Sequence, residues 1–199
     1  MEEANLTDDE VVISVLNGRR QDFEILVRRY STKIIHFVTR MTGDADEGRS
    51  LAQDAFLKIY QNLPYYRREN NFSAFIFKVA RNLTLNWLKR QKRTVFFSRL
   101  LGNELNQPAF RQDAPRLSPH DQGERDSLVS LQLRLLPEEQ RLALVLKVYL
   151  EFSYKQIADV TGWSVPKIET LISRARSRLK KSIRLQESGG EAVEQARNQ

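Results

Sequence analysis

Residues 152–176 have the sequence FSYKQIADVTGWSVPKIETLISRAR, whose spacing of apolar residues predicts two helices joined by a tight turn. Ser153 followed by Gln156 is a capping box that opens the first helix. Gly162 tolerates the positive φ that such a turn needs. Ile168 then falls where the second helix returns to a shared core. The stretch therefore predicts a helix-turn-helix.

The second helix of this motif is strongly basic. Between residues 163 and 185 a single acidic residue, Glu169, stands among seven basic ones: Lys167, Arg174, Arg176, Arg178, Lys180, Lys181 and Arg184. A helix with this charge repels itself unless an anion lies alongside, which favours nucleic acid as the ligand. The alternative is a solvated basic face on a generic helical hairpin.

The composition of the whole chain agrees with a polyanionic partner. The 199 residues carry 32 basic and 25 acidic side chains, a net charge of +7. The absence of Cys excludes disulfides, thiolate zinc sites and Cys nucleophiles, and only two His remain, so we expect neither a metal nor a cofactor. The longest aliphatic run, residues 142–146, is far below the ~20 residues of a membrane helix. We expect a cytoplasmic protein without membrane insertion.

Helical periodicity divides the chain into two blocks. In the first block it predicts a helix over 22–41, a second that starts after Gly43 and ends near 62–64, and a third that runs from an N-cap at Ser73 to Arg93. Three helices can share one core. The predicted fold class is all-α, with two small helical domains joined by a flexible linker.

The segment between the blocks lacks periodicity and contains scattered Pro and Gly. We interpret 94–127 as this linker, although Phe96, Phe97, Leu100 and Leu101 at its start are suited to a short helix packed on the first block. The second block covers 128–185, with Pro137 suited to the first turn of a helix. A polar tail occupies 186–199.

Both blocks resemble parts of bacterial sigma factors. Residues 136–141 (LPEEQR), 152–158 and 173–176 resemble region four, and residues 22–30, 53–60 and 72–86 resemble region two, in the same order. With these two regions and a linker alone, the chain resembles an extracytoplasmic-function sigma factor of the sigma-70 family. The resemblance implies that 1–93 form region two and 128–185 form region four.

Within that family, region two binds the β′ clamp helices of core RNA polymerase and melts the −10 promoter element, while region four binds the β flap and recognises the −35 element. The resemblance thus implies core polymerase and promoter DNA as partners, and it allows an anti-sigma factor, which no residue identifies. Stacking on single-stranded bases needs aromatic rings, and phosphates need cations. The residues implied at the melted −10 strand are Tyr65, Tyr66, Arg67, Arg68, Asn70, Asn71, Phe72, Lys78, Asn82, Asn86 and Lys89. For Tyr65, Tyr66 and Trp87, the alternative is packing in the core or at its rim.

The resemblance also implies residues for the −35 element and for the polymerase. The −35 candidates are Lys167, Glu169, Thr170, Ser173, Arg174, Arg176 and Arg178. The polymerase candidates are Gln53, Asp54, Phe56 and Tyr60.

The chain departs from the family pattern at two places. Many relatives carry an acidic pair before the Leu of the clamp-binding helix, where this chain has Arg49 and Ser50. In the −35 helix, relatives commonly have a basic residue, then Ser, then Arg, at the positions of residues 169–171 (Glu-Thr-Leu). Glutamate can accept a hydrogen bond from cytosine N4 but repels phosphate, so the −35 sequence cannot be inherited from relatives.

Two other function classes are compatible with parts of the sequence. A free-standing helix-turn-helix regulator would bind duplex DNA without polymerase, but would leave the aromatic and amide residues of the first block without a role. A nuclease would use Asp44, Asp46, Glu47 and Asp54 as Mg²⁺ ligands, but acids at a helix start are already favoured by the helix dipole. We therefore expect a protein that is not an enzyme.

Overall fold

The computed structural model describes residues 6–67, 71–100 and 132–197, and the side chains of all these residues except 95, 98–100 and 185–197. The N-terminal block consists of α1 (Asp8–Leu16), α2 (Phe23–Thr42), α3 (Ala45–Asn62) and α4 (Phe72–Leu100). The C-terminal block consists of α5 (Glu138–Leu144) continued by a π-helical turn (Val145–Tyr149), α6 (Tyr154–Thr161) and α7 (Val165–Arg197). The described residues contain no strand, and the predicted all-α fold class is confirmed.

The predicted apolar stripes form the core of the N-terminal block. On α2, the residues Leu26, Ile34 and Met41 are completely buried. Gly43 ends this helix in the left-handed conformation (φ 77°). The carboxylate of Asp44 then caps α3 by accepting from the backbone N–H groups of residues 46 and 47, at 2.9 and 3.1 Å. Asp44 therefore has a capping role, and no group of three or more Asp, Glu or His among the described residues is arranged to hold a metal.

Two helices extend beyond their predicted ends. The helix α4 starts at Phe72, so Ser73 lies inside its first turn and is not the N-cap, and it continues past Arg93 to Leu100. No Gly or Pro interrupts 94–100, which explains why the helix occupies the start of the predicted linker. Phe96 and Phe97 are 63% and 55% exposed, so the prediction that they pack on the first block is wrong. Similarly, α7 continues to Arg197, through most of the predicted tail. Leu101 and the rest of the predicted linker to 127, together with residues 128–131, lie outside the described residues.

The helix α1 was missed by the sequence analysis, although its signal is local. Thr7 and Glu10 form a capping box in which the Thr7 N–H donates to the Glu10 carboxylate at 2.7 Å. Two acids of the first turn then bind the rest of the block. Asp8 accepts hydrogen bonds from Arg29 and Tyr30, and Asp9 accepts one from Tyr66.

The predicted helix-turn-helix is present. Ser153 and Gln156 exchange the two hydrogen bonds of the capping box, at 2.8 and 3.2 Å. Gly162 ends α6 with φ 74°, and Ile168 is completely buried between the helices. Pro137 precedes α5 as its N-cap and does not lie in its first turn.

The two blocks pack against each other, which the sequence analysis did not predict. The helix α4 contacts α6, and α2 contacts the π-helical turn, so the buried apolar residues of both blocks form one continuous core. No helix in the described part of the chain combines the length and apolarity needed to span a membrane.

Candidate nucleic-acid and polymerase interfaces

The helix α4 has one buried and one exposed face. Ile76, Phe77, Ala80, Thr84 and Leu88 are buried, with the Thr84 hydroxyl donating to the carbonyl of residue 80 at 2.8 Å. The opposite, exposed face carries four of the predicted −10 residues, Lys78, Asn82, Asn86 and Lys89. They follow each other at steps of three and four residues, so their amides and ammonium groups form one row. We call this row the α4 polar face.

The aromatic residues of the preceding loop divide into exposed and packed ones. Tyr65 is 81% exposed, and its ring is accessible for stacking. Phe72 is only 2% exposed and packs edge-on against Tyr30, at 6.0 Å between ring centroids. The ring of Phe72 therefore belongs to the core in this structure and is not exposed for the predicted contact with single-stranded DNA. Arg67 is exposed, whereas Arg68 and Asn70 lie outside the described residues.

Tyr66 is half-buried and has a structural role. Its ring packs against Phe72 and Phe75, each at 5.1 Å between centroids. Its hydroxyl donates to Asp9 at 2.7 Å. Burial raises the pKa of the Tyr66 phenol, and the hydrogen bond to Asp9 and the charge of Asp9 raise it further. In this conformation, the ring of Tyr66 packs at the rim of the core and is not free to stack on a base.

Trp87, the other aromatic residue considered for packing, connects α4 to α3. Its side chain lies close enough to the Glu47 carboxylate to lower the pKa of that group. Burial raises the pKa of Glu47, the charge of Asp44 adds to this effect, and the nearby indole of Trp87 opposes it. Trp87 is half-buried and packs against the core, so its packing alternative agrees with the structure.

The side chain of Asn71 forms a hydrogen bond with the C-terminal block. Its side-chain amide donates to the carboxylate of Asp159 on α6, at 3.0 Å. The amide predicted to contact the melted strand therefore binds an acidic side chain in this conformation.

The polymerase candidates lie on α3. Gln53, Asp54 and Tyr60 are exposed. Phe56 is half-buried and packs edge-on against Phe23, at 6.4 Å between centroids, so it contributes only part of its surface. Leu57, which the sequence analysis did not select, is 63% exposed on the same helix. The sequence contained a signal for this residue: Leu57 is apolar, follows Phe56 directly, and falls on the side of an amphipathic helix that is otherwise polar.

Arg49, which stands where many relatives have an acidic residue, has its positive charge partly neutralised by a neighbour on α3. Its guanidinium forms an ion pair with Asp46, three residues earlier on α3. Both side chains are largely exposed, so the pair contributes little to stability, but it reduces the positive charge presented beside Leu51.

The helix α7 has the same two-faced construction as α4. Ile168, Leu171, Ile172 and Ala175 are buried against α5 and α6. The other side exposes the remaining −35 candidates, Glu169, Thr170, Ser173, Arg174, Arg176 and Arg178. Leu171 is therefore a core residue. It stands where relatives commonly have Arg, so this position does not supply a DNA contact from an arginine here.

The side chain of Lys167 is exposed but already has two partners within the protein. Its ammonium forms an ion pair with Glu139 at 2.8 Å and lies 4.6 Å from the ring centroid of Trp163. A phosphate contact by Lys167 requires this exposed pair to exchange partners, at a cost of ~0–1 kcal/mol.

Comparison with known proteins shows which family contains these helices. The chain is 29% identical to the RNA polymerase sigma factor YlaC of Bacillus subtilis over 164 residues, 82% of this chain and 93% of that protein. It is 27% identical to the ECF RNA polymerase sigma-E factor of Escherichia coli over 194 residues, 89% of this chain and 95% of that protein. Two family profiles match, one described as Sigma-70 region 2 over 26–94 and one as Sigma-70, region 4 over 128–179. The chain belongs to the sigma-70 family.

Relatives named as ECF factors place this sigma factor in the extracytoplasmic-function group. Solved structures agree on the fold. CnrH, in complex with the cytosolic domain of CnrY, matches with a TM-score of 0.67 and 19% identity over 90% of this chain and 99% of that chain. RpoE of Bartonella quintana, in complex with the anti-sigma factor NepR, matches with a TM-score of 0.65 and 21% identity over 82% and 98%. The predictions that this chain is a DNA-binding sigma factor for transcription by RNA polymerase are confirmed.

Proposed function

We propose that this sigma factor divides its work between three surfaces. The α3 surface binds the β′ clamp helices of core polymerase, Tyr65 and the α4 polar face hold the melted −10 strand, and the exposed side of α7 recognises the −35 element. One observation carries this proposal: each surface lies inside a matched sigma region and exposes polar, cationic or apolar side chains on a helix whose other face is buried.

The −10 assignment rests on the kinds of group that the N-terminal block exposes. Tyr65 offers a ring for base stacking, and the amides of Asn82 and Asn86 can donate to and accept from base edges. Lys78 and Lys89 stand at the ends of the α4 polar face, where they can contact phosphates. A single strand with unpaired bases uses all three kinds of group, whereas a closed duplex offers no ring faces for stacking.

The −35 assignment rests on charge and position. In helix-turn-helix proteins the N-terminal part of the second helix contacts base edges in the major groove. Glu169, Thr170, Ser173 and Arg174 lie in that part of α7, and Arg176 and Arg178 follow them along the helix. We assign these two arginines to phosphate contacts. Through the same block we expect contact with the β flap.

The sigma factor acts in this proposal by binding and positioning, without a catalytic step and without a cofactor, and its site of action is the cytoplasm. We retain two functional domains, assigned as 1–93 and 128–185, while α4 continues structurally to Leu100.

A transcription assay tests the proposed function. Core polymerase with the full chain should initiate at discrete sites on a pooled library of bacterial upstream DNA, and sequencing of the 5′ ends should show shared sequences near −10 and −35. Core polymerase alone is the control. Transcripts that start at the same positions with and without the chain would contradict the proposal.

A second experiment tests the α3 surface. Leu57→Asp should reduce co-purification of the full chain with core polymerase, because it places a charge in the exposed apolar part of that surface. Leu16→Asp on α1 is a matched control, since Leu16 is 44% exposed and lies outside the three surfaces. Equal retention of core by both variants would remove α3 from the interface.

A further inference from the structure

Two aromatic rings near the end of α4 have no role in the proposed function. Phe96 is 63% exposed and Phe97 is 55% exposed, and the two rings meet edge-on at 5.9 Å between centroids. The other phenylalanines that the structure describes are buried or half-buried. Both residues also lie beyond residue 94, where the match to Sigma-70 region 2 ends. Large apolar side chains that cluster at a surface mark an interaction site.

The helix that carries these rings has positive charges only. Its 29 residues contain seven Lys and Arg and no Asp or Glu. Lys89, Arg90 and Arg93 are exposed and form no ion pair with the residues that the structure describes. A surface of this charge attracts a polyanion. A second copy of α4 would meet like charge, so the rings are not suited to pairing two chains through this helix.

The rings lie on the same side of α4 as the α4 polar face. Arg93 follows Asn86 by seven residues and Lys89 by four, so it continues the row along the helix. Phe96 and Phe97 follow Arg93 by three and four residues, so Arg93 stands one turn before both rings. We call the following residues the α4 aromatic end: Arg90, Arg93, Phe96 and Phe97.

The exposed row is longer than the α4 polar face alone. An open depression of about 570 Å³ follows its second half, lined by Asn86, Lys89, Arg90, Lys92 and Arg93. From Lys78 to Phe97 the row extends about 28 Å, at ~1.5 Å per residue. A stacked single strand advances ~3.4 Å per nucleotide, so this row matches about eight nucleotides, three more than the α4 polar face does.

We infer that the α4 aromatic end is a second stacking site for single-stranded DNA. In this site Phe96 and Phe97 stack on unpaired bases, and Arg90 and Arg93 bind the phosphates beside them. The inference deepens the function proposed above and rests on it, because the melted promoter strand supplies the unpaired bases. Aromatic rings then stand at both ends of the row, with Tyr65 before α4 and this pair at its end.

The rings distinguish a single strand from a duplex. An aromatic side chain stacks on the face of any base, but only where that face is free. A duplex offers phosphates to Arg90 and Arg93, but its stacked pairs offer no face to Phe96 and Phe97. Duplex binding at this end would therefore use the cations and leave both rings in water. A single strand uses both kinds of group.

Binding of the full chain to labelled oligonucleotides tests the rings. Fluorescence anisotropy measures a single strand of mixed sequence in the presence of excess unlabelled duplex, which occupies the basic side of α7. The double variant Phe96→Leu with Phe97→Leu keeps two apolar side chains but removes both rings. It should weaken single-strand binding about tenfold or more. A labelled duplex, measured separately, should bind the variant and the unchanged chain alike.

A conservative variant separates stacking from general apolar contact. Phe96→Trp with Phe97→Trp retains two rings and should keep the single-strand affinity of the unchanged chain. The positions are exposed, so circular dichroism should show the same helix content in both double variants. Equal single-strand affinities of the Leu and Trp variants would overturn the inference, since a ring would then have no advantage over an aliphatic side chain.

Salt dependence tests the arginines. Arg93→Ala should weaken single-strand binding and reduce the slope of log affinity against log salt by about 0.7, the contribution of one phosphate. Arg20→Ala is the matched control, because it removes the same charge from an exposed position between α1 and α2. Identical slopes in these two variants would exclude the proposed phosphate contact.

A cleavage probe locates the strand in the promoter complex. The chain contains no Cys, so Thr94→Cys, at an exposed position between Arg93 and Phe96, takes a single iron chelate. The label should cleave the melted strand. Cleavage confined to duplex DNA would overturn the inference and assign this end to duplex phosphates, and an absence of cleavage would assign it to a protein surface.

Failure of the proposed function would look different. In that case the full chain would direct no promoter-dependent transcripts, whereas the oligonucleotide measurements need neither core polymerase nor a promoter. If transcripts start at discrete promoters but the Leu double variant binds the single strand as well as the unchanged chain does, the proposed function stands and the second stacking site alone is rejected.

Discussion

The two helices proposed to contact DNA differ in how they are held. The helix α4 packs against α2 and α3 of its own block and against α6 of the other. The helix α7 packs chiefly on α5 and α6, all within the C-terminal block. A change in the buried face of α4 should therefore affect both blocks, whereas a change on α7 should remain local. The exposed residues of α7 that we propose for DNA recognition can therefore vary without disturbing the rest of the fold.

The largest effect expected from this difference is on stability. Phe77→Ala removes a completely buried ring from a contact shared by both blocks and should lower the free energy of unfolding by ~3–5 kcal/mol. The two tryptophans report on one block each, Trp87 on the first and Trp163 on the second. In single-Trp backgrounds, urea titration should show both probes shifted by Phe77→Ala.

The matched variants sharpen the same comparison. Ile172→Ala in the buried face of α7 should shift the Trp163 probe more than the Trp87 probe. Phe96→Ala changes a ring that is 63% exposed and should leave both within about 0.5 kcal/mol of the unchanged chain. Equal shifts of both probes by Phe77→Ala and Ile172→Ala would remove the distinction between the two helices.

The second effect concerns the two adjacent tyrosines before α4. Tyr65→Ala should weaken capture of the melted strand by ~1–3 kcal/mol, since one base loses its stacking partner. Tyr66→Phe keeps the packed ring and should leave melting unchanged. Permanganate reactivity of thymines in promoter complexes measures melting directly. If Tyr66→Phe reduces it as much as Tyr65→Ala, then the hydroxyl of Tyr66 leaves Asp9 to contact DNA.

The third effect separates two kinds of contact on α7. Arg174→Ala should reduce discrimination among −35 variants by ~1–3 kcal/mol, because a base-edge contact is lost. Lys180→Ala should weaken binding to all variants alike and reduce the salt slope by about one. Glu169→Lys should raise non-specific affinity and shift the preferred base. A −35 library at several salt concentrations that fails to distinguish Arg174→Ala and Glu169→Lys from the unchanged chain would leave α7 as a basic surface without a recognition role.

The sequence predicted what local pattern determines. The capping box at Ser153, the glycine at 162 and the buried Ile168 specify the helix-turn-helix through neighbouring residues. The α4 polar face was also predictable, because helical spacing alone places Asn82 and Asn86 on one side. Periodicity likewise located α2 and α3 to within a few residues.

The contact between blocks was not predictable, because it joins residues distant in the sequence. Arg141 and Met41 are 100 positions apart, and a basic residue in an amphipathic helix usually remains in water. The burial of Phe72 and the engagement of Tyr66 by Asp9 have the same cause, since both depend on partners in other elements. Composition showed aromatic residues in the loop but not which of them the core would take.

The smallest effect expected concerns the tyrosines that α1 binds. Burial and hydrogen bonds to Asp8 and Asp9 raise the pKa values of Tyr30 and Tyr66 above 10. The unfolded chain therefore loses these protons at lower pH than the folded chain does, so the stability that the neutral phenols contribute is complete below pH ~10 and is lost as pH rises further. Tyr66→Phe should cost about 1 kcal/mol near neutral pH, through its hydrogen bond. The double variant Tyr30→Phe with Tyr66→Phe should be less stable near pH 7 but should show a shallower loss of stability between about pH 10 and 11 in urea titrations. An alkaline slope that is unchanged in the double variant would mean that the folded chain does not protect these phenols, and that α1 does not bind the rest of the N-terminal block as the structure describes.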